Sequence, residues 1–217
     1  MNTLIVGTSR GIGAELARQA TTAGHAVTAT VRDGEGPAGA RVVRCDVADD
    51  ASVARAARAA REGGPFDLLI HNAGINPRKG QAFGSADPAA WARMLDVNVL
   101  GPLRVAEAFR PLMREGSTAA FVSSQLGSMS LGGGVGYPAY NASKAALNKM
   151  VQDLASAWKP HVAVLALHPG WVRTDMGGSN AAISPEESAA GILAVLATRG
   201  MADTGTFWNW DGRRHAW

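Results

Sequence analysis

The 217-residue sequence predicts an α/β fold: a doubly wound parallel sheet of about seven strands with helices on both faces. Three observations carry this. Short, wholly apolar runs rich in β-branched residues suit strands buried on both faces. These runs alternate with longer helical patterns, which implies right-handed crossovers between parallel strands. A glycine cluster, Gly7-x3-Gly11-x-Gly13, sits between the first run and the first helical pattern.

The elements follow in order. Thr3–Val6 is the first strand and 11–23 the first helix. Ala26–Val31 is the second strand and Arg41–Cys45 the third. Only DGEGPAGA joins them, and its glycines and proline make a turn or one helical turn rather than a crossover helix. The helix over 49–62 is capped by Asp49 or Asp50 and ended by Gly63–Gly64. Phe66–His71 is the fourth strand. A long helix over 87–114 starts from an Asp87 cap with Pro88 in its first turn. Ala119–Ser123, a helix over 138–158 and Val162–Leu167 come next. The last helix, 185–199, has Ser184 as cap, Pro185 first and Glu187 at the spacing of a capping box. Gly205–Trp208 is the last strand. Neither a linker nor a repeat interrupts the series, so 1–217 is read as one domain.

Composition excludes several classes. With 47% hydrophobic residues the chain can offset its ordering entropy by burial, so it is not disordered. The 26 glycines show no three-residue period, which excludes collagen. A single cysteine, Cys45, forms no intrachain disulfide and no cysteine-built metal site; it reads as a small core residue in a reducing compartment. No His/Asp/Glu cluster has zinc spacing, so no metal is expected. The pI of about 9.4 raises nucleic acid as a partner. Yet 21 basic residues face 18 acidic ones, Arg213–Arg214 is the one notable cluster, and Arg55, Arg58 and Arg61 recur as a solvated helix face. Neither nucleic acid nor membrane is therefore expected as a partner, since no apolar run nears the ~20 residues of a span. MNTLIVG lacks a basic region and a cleavage site, and a cytoplasmic protein is expected.

The glycine cluster has a strand before it and a helix after it. Glycines there let the backbone turn sharply and approach a pyrophosphate seated on the helix N-terminus. The end of the second strand then selects the dinucleotide. An acidic residue would bind the ribose 2′-hydroxyl, and an arginine would accommodate a 2′-phosphate. Arg32 falls at that end and Arg10 lies inside the glycine loop, which favours NADP over NAD. Asp33 is the competing choice if the register shifts by one. Asp46, at the end of the third strand, is open to two roles: accepting from the adenine amino group, or capping.

Tyr140 and Lys144 share one face of a helix at i and i+4, so phenol and ammonium can converge. A cation beside a phenol favours the phenolate. A drop of about 3 pKa units needs ~4 kcal/mol, within reach of Lys144 and a bound nicotinamide cation together.

The glycine loop, His71-Asn72-Ala73-Gly74, Asn98, Ser123-Ser124, Tyr140-x3-Lys144 and Pro169-Gly170 occur in the order of the short-chain dehydrogenase/reductase family. The chain resembles that family from about residue 3 to its end. GYPAYNASKAALN, LHPGWVRTDMGG and WDGRRHAW are similar to its C-factor/sniffer-like carbonyl-reductase branch. The resemblance implies a Rossmann fold and an NADP(H)-dependent oxidoreductase. Tyr140 would be general acid in reduction, Lys144 would bind the nicotinamide ribose and lower the Tyr140 pKa, and Ser124 would polarise the substrate carbonyl. Asn98 would interrupt its helix and hold a water joining Lys144 to solvent; its flanks Leu95, Val97, Val99 and Leu100 argue that it is buried. Gly7, Ser9, Arg10, Gly11, Ile12, Gly13, Arg32, Asp46 and Val47 would bind the cofactor together with Tyr140 and Lys144. Asn72, Ala73 and Gly74 would line its adenosine side. Pro169, Gly170, Val172 and Thr174 would hold its nicotinamide side.

Two positions have close rivals. Tyr137 stands at the family's commoner distance from Ser124 but has Asn141, not lysine, four residues on. Tyr140 is therefore chosen, with LGGGVG before it as a loop insertion. Ser124 is chosen over Ser123, which is expected to point into the core or to cap. His71 and His168 stand where the family more often has asparagine; each is read as a hydrogen-bonded strand-end residue rather than a catalytic base.

The segment that usually covers the substrate is short here, TDMGGSNAAI, and rich in small residues. An open site lined by Leu126, Tyr137, Trp171 and Met176, with Phe83 as a further candidate, would take compact apolar aldehydes, ketones or diketones. A small carbonyl or alcohol compound is thus the expected partner. A cofactor-sensing signalling protein with incidental catalysis is the alternative. An epimerase or dehydratase would need a larger substrate domain. The long Ala-rich helices 87–114 and 138–158 either pair across a two-fold, giving a homo-oligomer (dimer or tetramer), or pack internally.

Overall fold

The structure, a computed structural model, describes residues 1–131 and 136–217. Its strands are β1 (Asn2–Val6), β2 (Ala26–Val31), β3 (Arg41–Arg44), β4 (Phe66–His71), β5 (Met113–Val122), β6 (Val162–His168), β7 (Thr206–Asn209) and β8 (Arg214–His215). They form one sheet in the order β3-β2-β1-β4-β5-β6-β7-β8. Every pair is parallel except β7 with β8. The doubly wound parallel sheet is as the sequence predicts. The eighth strand is new: at two residues it is too short for any period, and it returns through a turn in which Asn209 N–H donates to Arg213 O at 2.8 Å.

The helices are α1 (Gly11–Thr22), α2 (Asp50–Ala60), α3 (Pro88–Leu95), α4 (Gly101–Phe109), α5 (Pro138–Trp158) and α6 (Pro185–Leu196). Leu16, Ala17 and Ala20 of α1 and Ile192 and Val195 of α6 bury against Ile5, Ile70 and Leu165 on one face of the sheet. Val53 of α2, Val105 and Phe109 of α4 and Leu147 and Val151 of α5 cover Leu4, Val6, Leu69, Phe121 and Val164 on the other. Successive residues of β1 thus enter opposite cores, which is why its sequence is apolar without alternation.

The caps form as their residue types require. Asp49, not Asp50, accepts from Ala51 N at 3.0 Å, Asp87 accepts from Ala89 N at 2.9 Å, and Ser184 and Glu187 complete a reciprocal box. Arg55, Arg58 and Arg61 are exposed. Cys45 is buried, and burial pushes its thiol up to about 12, as befits an inert core residue.

The long helix expected over 87–114 is corrected. α3 and α4 are separate, joined by a π-helical turn over Asp96–Leu100; a 3-10 turn covers Arg110–Leu112, and β5 begins at Met113. Pro102 has no N–H to give the carbonyl of Asn98, so the ladder opens there. Asn98 sits in the opening and is fully buried, although Leu95 and Leu100 beside it stay partly exposed. Of the loop insertion expected at 131–136, residues 132–135 lie outside the described residues.

Strand order reverses between β1 and β4, so the loops that follow them diverge and open a crevice at the carboxyl ends of the strands. Among the described residues no helix is long and apolar enough to cross a membrane, and no group of three or more His, Cys, Asp or Glu could hold a metal.

Candidate functional site

A cleft of about 600 Å³ lies in that crevice. Gly7, Ser9, Arg10, Gly11 and Ile12 line it from the β1 turn, Arg32 from the end of β2, and Asp46 and Val47 from the end of β3. Asn72, Ala73 and Gly74 line it after β4, Tyr140 and Lys144 from α5, and Pro169 and Thr174 after β6. Gly13 does not line it. A Cβ there would run into the carbonyl oxygen of Gly7, so this glycine lets α1 close on the turn, beside the bond from Asn72 Nδ2 to Gly7 O at 2.9 Å. Gly7 has φ +87, and a Cβ on it would strike the Ala73 backbone.

The fit to a pyrophosphate can be tested on α1 itself. Arg10 at its N-cap makes no side-chain capping bond, so first-turn N–H groups at the mouth of the cleft have no side-chain partner among the described residues. The residues present therefore fit a dinucleotide. The two arginines are not poised on a common phosphate: Arg10 pairs with Asp175, and Arg32 Nε with Asp33 Oδ2 at 2.8 Å. Asp46 lines the cleft and accepts from Ala48 N at 3.0 Å in a local turn; the cap of α2 is Asp49, so the capping role weighed for Asp46 falls to its neighbour.

A second cleft, about 620 Å³, opens beside the first. Ser124, Leu126, Tyr137, Gly170, Trp171 and Val172 line it. Ile12, Ser123, Tyr140, Pro169, Thr174 and Met176 line both clefts. Phe83 lies exposed on the surface and lines neither.

Where the clefts meet, Tyr140 and Lys144 are both buried, with the ammonium 5.8 Å from the phenol ring centre. Lys144 Nζ donates to Val122 O at 2.9 Å, and burial pulls the ammonium down to about 8. Burial pushes the Tyr140 phenol up to about 12, while hydrogen bonding to the Ser124 side chain acts the other way. In the unliganded protein desolvation thus outweighs the Ser124 hydrogen bond, and the nicotinamide cation that the expected lowering also calls on is not part of this balance.

Ser124 Oγ accepts from Leu126 N at 3.1 Å and faces the cleft, whereas Ser123 donates to Asn148 Oδ1 at 2.5 Å inside the core. Asn98 brackets Ile75: Oδ1 accepts from Ile75 N at 2.8 Å, and Nδ2 donates to Ile75 O at 2.9 Å and Ser143 Oγ at 3.0 Å. A Cβ on Gly74 would lie 3.3 Å from Asn98 Oδ1 and 3.6 Å from Lys144 Nζ, so both groups border the space that this glycine leaves.

His168 lines the second cleft, and its Nδ1 accepts from Gln125 N at 3.3 Å. His71 lines neither cleft; it stacks on Phe121 with centroids 5.9 Å apart, and its Nε2 has no partner among the described residues. Burial holds both rings neutral, His71 near 3 and His168 near 4.

Sequence reasoning passed over Gln81. It is fully buried, accepts from Tyr140 N at 3.0 Å and donates to Asn76 Oδ1 at 2.7 Å. It thereby caps α5 from another loop, in place of Tyr137, whose side chain makes no cap bond. A polar residue in a loop gives no local sign of such a role. Asn76 and Arg78, in the wall of the second cleft, were missed for the same reason.

A dinucleotide-type fold with a buried tyrosine and lysine at the meeting of two clefts defines an oxidoreductase of the Rossmann class. The chain matches the family model for short chain dehydrogenase over residues 1–183 and belongs to that family. It is 40% identical over 158 residues to C-signal of Myxococcus xanthus, covering 71% of this chain and 94% of that protein. Its fold is similar to that of carbonyl reductase Sniffer of D. melanogaster, with TM-score 0.90 and 27% identity over the whole of both chains. It is also similar to the NADPH-bound carbonyl reductase from chicken fatty liver, with TM-score 0.88 and 29% identity over 100% of this chain and 98% of that one.

Proposed function

We propose that the chain, acting as one domain, is an NADPH-dependent carbonyl reductase for small, mainly apolar aldehydes and ketones. The observation that carries this is Tyr140, which lines both the dinucleotide cleft and the second cleft. A donor in one and an acceptor in the other would meet at its hydroxyl. The NADPH carried by the chicken-liver carbonyl reductase supports this choice of cofactor.

Gly7, Ser9, Gly11, Ile12 and the first turn of α1 would hold the pyrophosphate, and Arg32 and Arg10 would meet the 2′-phosphate by leaving their present partners Asp33 and Asp175. Bound NADPH supplies the hydride. Ser124 Oγ donates to the carbonyl oxygen and fixes it against Tyr140. The phenol, kept protonated by its burial, gives its proton to that oxygen as the carbonyl carbon is reduced. The Lys144 ammonium, anchored by Val122 O, stabilises the phenolate left behind. Asn98 holds the Ile75 turn, so that Gly74 leaves a path beside Lys144 for the returning proton. Leu126, Tyr137, Trp171 and Met176 form the apolar wall against the substrate. We place the reaction in the cytoplasm.

The test is a panel of aldehydes and ketones assayed with NADPH and NADH side by side, for the wild type and Tyr140→Phe. NADPH-preferring turnover should fall by about 10²–10⁴-fold in the variant while NADPH binding persists. Retained turnover would refute the role given to Tyr140. The likeness to C-signal favours one second reading, a cofactor-sensing signalling protein. NADPH binding with no consumption across the panel would select it.

A further inference from the structure

We propose that the second cleft is built for a carbonyl compound that carries a carboxylate at its far end, with Arg78 as the group that recognises it. This deepens the reductase reading and rests on it. Arg78 is the one arginine, lysine or carboxylate among the described residues that line the second cleft; His168 there is neutral, and the others are apolar or uncharged polar groups. An anionic end would meet no like charge in the wall.

No carboxylate pairs with Arg78 among the described residues; of the arginines that line the neighbouring cleft, Arg10, Arg32 and Arg173 each have an acidic partner and Arg93 has none among the described residues. The Arg78 guanidinium reaches across to Met176 O at 2.6 Å and lies near Gly178, whose Cβ would stand 3.7 Å from Nη2. One donor is thereby fixed to the covering segment. A guanidinium carries five donors in a planar fork that matches a carboxylate, so most of its capacity is open.

Arg78 is the non-glycine residue found at positive φ, +63°, among the described residues. A long side chain is disfavoured in that region, and such strain persists where the surroundings over-determine it. Here Lys79 N donates to Pro77 O at 2.7 Å, and Asn76 is held by Gln81, which also caps the helix of Tyr140. The turn that presents Arg78 is thus tied to the proposed proton donor. Apolar Leu126 and Met176 suit an aliphatic body between the carbonyl and the anionic end.

The test compares 6-oxohexanoate with its methyl ester as substrates, using NADPH, for the wild type, Arg78→Met and Arg78→Lys. The wild type should show a KM about tenfold lower for the acid than for the ester, the scale of one charge-assisted hydrogen-bonded contact. In Arg78→Met that ratio should fall to about one, and Arg78→Lys should fall between, because it keeps the charge but not the fork. A wild type indifferent to the charge, or a ratio that survives Arg78→Met, overturns the proposal. Calorimetric titration of hexanoate against hexanamide on the NADPH-bound protein separates the two layers. If neither oxo compound turns over, tighter binding of hexanoate that is lost in Arg78→Met upholds the carboxylate site while the reductase reading fails. Equal binding of the two ligands overturns the carboxylate site as well.

Discussion

The two clefts share Tyr140 but are held together by different means. The dinucleotide side is backbone packed on backbone: Gly7 lies against the Ala73 main chain and Gly13 against the carbonyl of Gly7. The second cleft is held by side chains reaching across the sequence. Gln81 meets Tyr140 59 residues away, and Arg78 meets Met176 98 residues away. A backbone approach tolerates only glycine, so it is written into composition. A long-range hydrogen bond accepts several polar residue types, so it is not.

The contrast can be broken at its strongest point first. Gly13→Ala forces a methyl group between Gly7 and Asn72, and denaturant unfolding should show a loss of about 3 kcal/mol or more, with NADPH binding lost. Wild-type stability here would mean that the turn is not close-packed.

Lys144→Met should do the reverse to the unliganded protein. Burial lowers the Lys144 pKa in the fold from an ordinary 10.5 to about 8. Below about 8 the buried charge costs stability; between that value and 10.5 the unfolded chain binds the extra proton, so wild-type stability rises with pH. The variant should be more stable at pH 7 by on the order of 3 kcal/mol, should lose that advantage as pH approaches 10.5, and should be inactive. The raised Tyr140 phenol has the opposite sign: the unfolded chain loses its proton first, so stability falls as pH climbs from 10 to about 12. Thermal unfolding across this range checks both.

Gln81→Leu leaves the Tyr140 N–H and Asn76 Oδ1 without their partner and should cost about 2 kcal/mol together with a fall in kcat. Gln81→Glu keeps the acceptor for the Tyr140 N–H and should recover part of kcat. Equal kcat in both variants would separate the cap from the chemistry. The smallest effect belongs to Asp175→Asn. It frees Arg10 from an exposed ion pair and should leave the melting temperature unchanged while tightening NADPH binding by about two- to threefold.

Much of the molecule is legible before folding. The parallel sheet, the span of α5, the Asp87 cap and the Ser184–Glu187 box all follow from local patterns. The break in the 87–114 helix was half legible: Pro102 stood in the sequence, but Ala-rich flanks made one long helix look continuous. β8 was too short to show a period. At the site, the placing of Ser124 toward the cleft and Ser123 toward Asn148 agrees with the alternation of side chains at the end of β5. The bonds of Arg10 and Arg32 are not legible in the sequence, because Asp175 is far off along the chain and Asp33, next to Arg32, is equally suited to a ribose hydroxyl.

By itself, then, the sequence determined the fold, the glycine turn and the pairing of Tyr140 with Lys144 on one helical face. Each is set by a repeat, a forbidden Cβ or a spacing of four residues, all of which act within a few residues along the chain. Tertiary structure decided what surrounds those groups. It buried Tyr140 and Lys144 deeply enough to move both pKa values against their charged forms, set Gln81 under the start of α5, and left Arg78 without an acidic partner among the described residues at the edge of the second cleft. Desolvation and long-range pairing depend on which segments meet in space, and that is fixed only when the two cores close around the sheet.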